Sequence, residues 1–522
     1  MNTKRKTILL LTTAVALLFT THCKNTGQLN SPFSQLHPYG ADKPNIVVIL
    51  ADDLGKYDLS LYGGLNVATP HIDSIGMNGV TFDYGYATAA ICAPSRAGLL
   101  TGQYQQRFGF EFQPHRNYPN SVFEQAFFRM MIRNKDEWQI QKNEGAPRNK
   151  FSRKQGLTKE VPTLAEVLKE NGYRTGIFGK WHLGAADSSK PNNRGFDEQY
   201  GFYEAFALYA DRRDKNIVSY KHMDDFKDRW MWRKGDKAES RIRYNDSIID
   251  EKEYLTFAIA KRASKFIADN RSNPFFLYVP FNAPHEPFQA PKSYYDKLPH
   301  IADDNKRIYY AMIAALDDAV GMIMDELRKQ GLEENTLVIF TSDNGAATYT
   351  HAVTNYPLKG GKMMYFEGGI NVPYMMQWKG TIPRKKVMEM MVSHLDIFAT
   401  SCYIAGVNTD KLLLDGENLL PYIKGVRFDK PHRQLYWRNA YTYAARYQHW
   451  KILIDDEHHT IELYNLAKDR GEANNVMHDH TALVEQLRKD IEAWDGQMLS
   501  PAWPWILNYK VIIDGKTYFF AV

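Results

Sequence analysis

Apolar and polar positions along this chain fall into a recurring alternation. Pro44-Asn45 opens the run Ile46-Val47-Val48-Ile49-Leu50, which is continuous and mostly β-branched and stops at Asp52-Asp53. Such a run predicts a strand buried on both faces, as in a parallel sheet. The pattern then repeats. Residues 163–168 have helical spacing, Asn171-Gly172-Tyr173 makes a turn, and 175–178 read as a strand stopping at Gly179-Lys180. Residues 255–270 predict a helix, and 275–279 a strand ending near His285. Residues 309–330 predict an amphipathic helix closed by Gly331, followed by a strand at 336–340 that ends at Ser342-Asp343-Asn344-Gly345. Helices alternating with apolar strands predict an α/β fold with a large mixed, mostly parallel sheet flanked by helices.

Four of these strands deliver polar residues at their C-terminal ends: Asp52 and Asp53, Lys180 and His182, His285, and Asp343 with Asn344. Open α/β sheets place their sites at that edge. Four coincidences predict one site.

The texture changes beyond about residue 430. Residues 434–437, 450–454 and 462–464 read as short antiparallel strands, 480–494 as a polar helix, and 509–519 as one more strand. The chain therefore divides into residues 44–430, the main α/β domain, and 431–522, a small α+β subdomain. Residues 111–160 and 201–250 fit the alternation badly and are rich in Arg, Lys, Trp, Tyr and Phe. Long irregular insertions of this kind often form the mouth of a site. His115, Arg116, Arg212, Arg213 and His222 lie within them and are candidate substrate-binding residues, against the plainer reading of a solvated surface.

The formal net charge is +5. Lys4, Arg5 and Lys6 account for three of the 65 basic residues, leaving 62 against 60 acidic ones. That balance gives no support for nucleic-acid binding. The same three residues precede a short apolar stretch, so 1–22 read as a secretory signal rather than a membrane span. Cys23 follows at once and is a candidate for lipidation, although Thr21-His22 fits a lipoprotein signal poorly. Residues 24–43 read as a polar leader, and the expected destination is the periplasm. With only Cys23, Cys92 and Cys402 in the chain, no disulfide framework exists, and Cys92 needs another explanation.

The surroundings of Cys92 supply one: Cys92-Ala93-Pro94-Ser95-Arg96-Ala97-Gly98-Leu99-Leu100-Thr101-Gly102. Pro94 suits the first turn of a helix. Cys92 then sits at the helix N-terminus, where the dipole favours anionic chemistry. Arg96 lies one turn on, on the same face, and Gly102 can close the helix.

This segment matches, at every fixed position, the signature of the formylglycine-dependent (type I) sulfatases, which belong to the alkaline phosphatase superfamily. The chain resembles that family from about Pro44 onward. The other matching blocks are Ala-Asp-Asp-Leu-Gly at 51–55, Thr-Pro-His-Ile-Asp at 69–73, Gly-Lys-Trp-His-Leu-Gly at 179–184, Ala-Pro-His-Glu-Pro-Phe at 283–288, Thr-Ser-Asp-Asn-Gly at 341–345 and Gly-Gly-Lys to Phe-Glu-Gly-Gly-Ile at 360–370. The resemblance implies that a separate formylglycine-generating or sulfatase-maturating enzyme oxidises Cys92 during export. The hydrated aldehyde then attacks the sulfur of a sulfate ester and later eliminates sulfate. It implies one calcium ion held by Asp52, Asp53, Asp343, Asn344 and residue 92. Four oxygen-bearing side chains suit calcium better than zinc. Arg96, Lys180 and Lys362 would surround the sulfate, His182 would act in the elimination, and His285, with Lys362, would protonate the leaving oxygen.

A bacterial polysaccharide sulfatase acting on sulfated carbohydrate is the leading expectation, with algal glycans such as ulvan or carrageenan placed ahead of glycosaminoglycans. Two alternatives stay open at this point. One is a phosphoesterase or phosphonate hydrolase on the same scaffold; the other is a glycan-binding relative without activity.

Overall fold

A computed structural model of the chain describes residues 43–114, 118, 121–132, 136–141, 155–220 and 231–522. The expected signal, Cys23 and nearly all of the leader lie outside the described residues. Residues 43–522 form one compact unit.

Its centre is a ten-stranded sheet. In chain order the strands are β1 (Asn45–Ala51), β2 (Val80–Tyr86), β3 (Arg174–Lys180), β4 (Glu198–Phe202), β5 (Arg243–Tyr244), β6 (Ser247–Ile248), β7 (Phe275–Pro280), β8 (Thr336–Ser342), β9 (Tyr374–Gln377) and β10 (Lys386–Ser393). Across the sheet they run β10-β2-β9-β8-β1-β7-β3-β4-β5-β6. Only β5 and β9 are antiparallel to the rest. The sheet is therefore mixed and mostly parallel, as the alternation predicts. The four strands expected to carry the site are consecutive neighbours at its middle, in the order β8-β1-β7-β3. All seven residues of β1 are buried, because helices cover both faces. Pro70–Met77, Leu255–Asp269 and Asp304–Lys329 pack together on one side, with Val47, Ile49 and Leu277 in the shared core. Cys92–Thr101, Leu164–Glu170 and Leu395–Ala405 pack together and cover the other.

Two boundaries differ from the sequence reading. The long helix starts at Asp304 rather than 309, because the Asp303 side chain accepts the Lys306 N–H and caps it there. The tail is a hairpin rather than a single strand. Leu507–Ile513 and Lys516–Ala521 pair antiparallel around Asp514-Gly515, both at positive φ (52° and 77°). Asp-Gly is the sequence signature of this tight turn, so the signal was present. Leu507–Ile513 also pairs with Trp138–Ile140, which anchors part of the 111–160 insertion. Residues 434–465 form a four-stranded antiparallel meander rather than three strands, the additional strand being Thr442–Tyr447.

Candidate active site

The ends of β8, β1, β7 and β3 bring the expected residues together. β1 runs straight into Asp52 and Asp53, and Asp53 holds φ at 63°. A non-glycine residue in that region is strained and persists only where its surroundings fix it. Here the Asp53 N–H donates to Asp343 Oδ1 at 3.2 Å. His182 (φ 57°) and Met363 (φ 76°), beside Lys362, share the same left-handed backbone. Strain therefore recurs at three positions around this edge. Gly179 also sits at positive φ, and a Cβ there would meet Pro280 O at 2.0 Å, so β3 and β7 can approach closely only with glycine before Lys180.

The helix Cys92–Thr101 is fully buried and closes at Gly102 (φ 65°), as the sequence predicts. Its N-terminus points Cys92 at the carboxylates: Sγ lies 3.4 Å from Asp52 Oδ1 and 3.7 Å from Asp53 Oδ1. Lys362 reaches the same place because the Met363 N–H donates to Ala90 O and the Lys362 N–H to Ala346 O, pinning its loop to both neighbouring turns.

Charge is densely paired here. Arg96 donates through Nε and Nη2 to Asp343 Oδ2 at 2.9 and 2.7 Å, and Nη2 lies 3.4 Å from Asp52 Oδ1. Lys180 Nζ donates to Asp52 Oδ2 at 2.7 Å, and Lys362 Nζ to Asp53 Oδ2 at 2.8 Å. Burial pushes Asp52 up from the usual carboxylate range, against the pull of Lys180. Burial would raise Asp343 too, but Arg96 and Lys180 outweigh it and hold Asp343 low. The Cys92 thiol is driven well up, by burial and then by Asp343. These surroundings oppose the thiolate that cysteine nucleophiles require.

Both histidines are held neutral by burial first, then by cations: Lys180 for His182 and Lys362 for His285. His285 engages the Glu286 carbonyl through Nδ1, while its Nε2 stands 3.0 Å from Lys362 Nζ. A neutral ring with Nδ1 protonated leaves Nε2 to accept from the ammonium.

The donor set fits a hard divalent cation. One ligand atom each from Asp52, Asp53, Cys92 and His285 lie within 4.8 Å of one another. Asn344 donates Nδ2 to Asp53 Oδ1 at 2.7 Å, while its Oδ1 is buried without a partner. An orphaned amide oxygen beside three carboxylates suits an ion that takes oxygen ligands.

His182, His285 and Lys362 line a cavity of about 140 Å³ that opens from this cluster. Glu286 and Tyr349 line it too, and the Tyr349 hydroxyl donates to Glu286 Oε1 at 2.7 Å. So does Leu507 of the C-terminal hairpin. The sequence reading left these three out of the site. Glu286 could have been found from its place beside His285 in the 283–288 block; nothing local marks Tyr349 or Leu507.

The insertion residues fare differently. Arg213 is 89% exposed and paired with Asp211, and Arg212 stacks on Trp232 with its guanidinium 4.3 Å from the ring centre. Both line a separate outer cavity. They line this cavity rather than the smaller one at the cluster. His115, Arg116 and His222 lie outside the described residues.

Three buried cations beside a carboxylate cluster, at the ends of a parallel sheet, are suited to cleaving an ester of a strong oxyacid. Comparison with known proteins narrows that class. Residues 44–407 match the sulfatase family, and 360–497 match the C-terminal region of N-sulphoglucosamine sulphohydrolase. The canine N-acetylgalactosamine-6-sulfatase is 30% identical over 456 residues, covering 84% of this chain and 78% of the relative. An N-acetylgalactosamine-6-O-sulfatase of Bacteroides thetaiotaomicron is 27% identical, covering 87% and 93%. The solved structure of Ps i-CgsB in complex with k-i-k-neocarrahexaose superimposes with a TM-score of 0.73 at 30% identity, covering 88% of this chain and 94% of that one. The chain belongs to the sulfatase family and is a sulfuric ester hydrolase.

Proposed function

We propose that this enzyme removes sulfate from a sulfated polysaccharide or its oligosaccharides, carrageenan-type galactans ahead of glycosaminoglycans, using a formylglycine made from Cys92 and one calcium ion. The observation that carries the proposal is the convergence of Cys92 with Asp52, Asp53, Asp343 and Asn344 under three cations. The substrate class is supported by relatives named for N-acetylgalactosamine sulfate and by a solved relative that binds a neocarrahexaose.

A buried thiol whose surroundings oppose the thiolate is a poor nucleophile, which supports conversion of this residue. Oxidised to formylglycine and hydrated, residue 92 supplies the oxygen nucleophile. Asp52, Asp53, Asp343 and Asn344 Oδ1 would hold calcium, which polarises the sulfate ester. Arg96, Lys180 and Lys362 place positive charge where sulfate oxygens gather charge in the transition state. The Lys362–His285 pair stands at the cavity wall, where a proton can pass to the leaving alcohol oxygen. His182, neutral and with an unpartnered Nδ1, is placed to take the proton whose loss releases sulfate. We place the enzyme in the periplasm, exported by residues 1–22, with Cys23 as a candidate lipid anchor.

The test combines two measurements on protein from a host with a maturating enzyme. Peptide mass at residue 92 is expected to show formylglycine. Free sulfate is expected from at least one member of a panel of sulfated oligosaccharides, abolished by a calcium chelator and restored by calcium. Active protein with an unmodified thiol at residue 92, or activity indifferent to chelation, would overturn the mechanism.

A further inference from the structure

The cavity at the catalytic cluster is small. Its 140 Å³ falls well below the roughly 300 Å³ at which ligand clefts usually begin, so it takes the sulfated end of a sugar and little more. The rest of a longer glycan must lie elsewhere. A second cavity of about 1020 Å³ is lined by residues neighbouring those of the first. On one side, the turn Thr348–Thr350 sends Tyr349 into the inner pocket, while Thr348 and His351 line the outer one. On the other, the strand Leu507–Ile513 sends Leu507 into the inner pocket, and Tyr509 lines the outer. Tyr349 and Tyr509 are in edge contact, with ring centres 6.2 Å apart. The Trp138 ring packs against both, so the two spaces adjoin across a small aromatic cluster.

The chemistry of this groove is that of a sugar site. Tyr356 stands in its wall 82% exposed, offering a flat apolar face with a polar tip. A pyranose has the complementary form, an apolar C–H face with a hydroxyl rim. Charge in the groove is close to balanced: Asp514 lies 3.4 Å from Lys359, Glu137 lies 3.8 Å from His351, and Asp136 and Lys510 complete the lining. Such a surface bonds hydroxyls without the excess positive charge that would select a second sulfate.

We propose that this groove is a subsite for unsulfated sugar units of the glycan, with the Tyr356 ring as its stacking surface. The proposal deepens the glycan reading and rests on it. The enzyme then prefers chains several sugars long over the isolated sulfated unit.

The experiment measures sulfate release from disaccharides and hexasaccharides of carrageenan and of chondroitin 6-sulfate. It uses the matured enzyme and its Tyr356→Ala and Tyr356→Phe variants. The parent is expected to favour the hexasaccharide. Tyr356→Ala should raise the hexasaccharide KM about tenfold, leave its kcat intact and leave the disaccharide untouched, while Tyr356→Phe behaves as the parent. Release without length preference, equal losses at both lengths, no loss, or a Phe variant as poor as Ala overturns the groove and leaves the sulfatase reading standing. No release at any length sinks the glycan reading itself, and the groove with it.

Discussion

Two regions bury a comparable density of charge and use it differently. At the strand ends, Asp52, Asp53 and Asp343 meet Arg96, Lys180 and Lys362. Beneath the C-terminal meander, Glu367 and Glu472 meet Lys451, whose Nζ lies 3.0 Å from Glu367 Oε1 and 2.9 Å from Glu472 Oε1. In the second region the Glu367 carboxylate is filled: Oε2 accepts from Tyr86 and Asn371, both at 2.9 Å, and Oε1 from Lys451. That network ties the central sheet to the meander. In the first region, Asn344 Oδ1 and His182 Nδ1 are left without partners, beside a cavity. Buried charge is thus no marker of chemistry in itself. The second network also keeps an unpartnered atom, Arg446 Nη1, so the cavity beside the first cluster is what separates the two.

The contrast can be broken experimentally. The largest expected effect is Cys92→Ala, which should lower sulfate release by more than about 10⁴-fold while leaving the thermal midpoint close to the parent. Release at the parental rate would remove residue 92 from the chemistry.

Lys451→Met should do the reverse, leaving two buried carboxylates without their cation. It should cost about 3–5 kcal/mol in urea unfolding, with kcat/KM per folded molecule nearly unchanged. An activity loss as large as the stability loss would join the two regions into one functional unit.

His285→Ala should reduce release from a sugar sulfate by about 10²–10³-fold, and by much less from an aryl sulfate with an acidic phenol, which needs no proton on departure. Equal losses on both would assign His285 to holding the cluster together.

The smallest effect concerns pH. Burial raises Glu472 to about 7 despite Lys451, whereas Glu367, which burial would also raise, is held down to about 2 by Lys451 and Arg446. The Glu472 contribution is complete below the unfolded value of a glutamate and fades as pH rises through 7. The Glu367 contribution is complete above that unfolded value and fades as pH falls toward 2. Stability from this network should therefore be greatest near about pH 4.5, falling toward pH 7 through Glu472 and toward pH 2 through Glu367. Glu472→Gln should abolish the decline on the alkaline side, worth about 1–3 kcal/mol, in thermal melts at pH 5 and 8. An unaltered slope would show that Glu472 does not carry that proton.

The sequence by itself determined the four central strands, their polar ends and the residues that gather there. Short, β-branched apolar runs bounded by turn residues favour buried strands, and Pro94, Arg96 and Gly102 mark how the Cys92 helix begins, faces and stops. Those signals are local, so they are legible one segment at a time. Tertiary structure alone decided which distant parts complete the pocket. Tyr349 and Leu507 reach it through a turn and a hairpin separated by over 150 residues of chain, and no spacing rule connects them. It also set Arg212 against Trp232 and Arg213 against Asp211, in the lining of a separate cavity, which their own positions do not announce. A side chain's chemistry is written at its own position, whereas the company it keeps depends on how the whole sheet and its insertions pack.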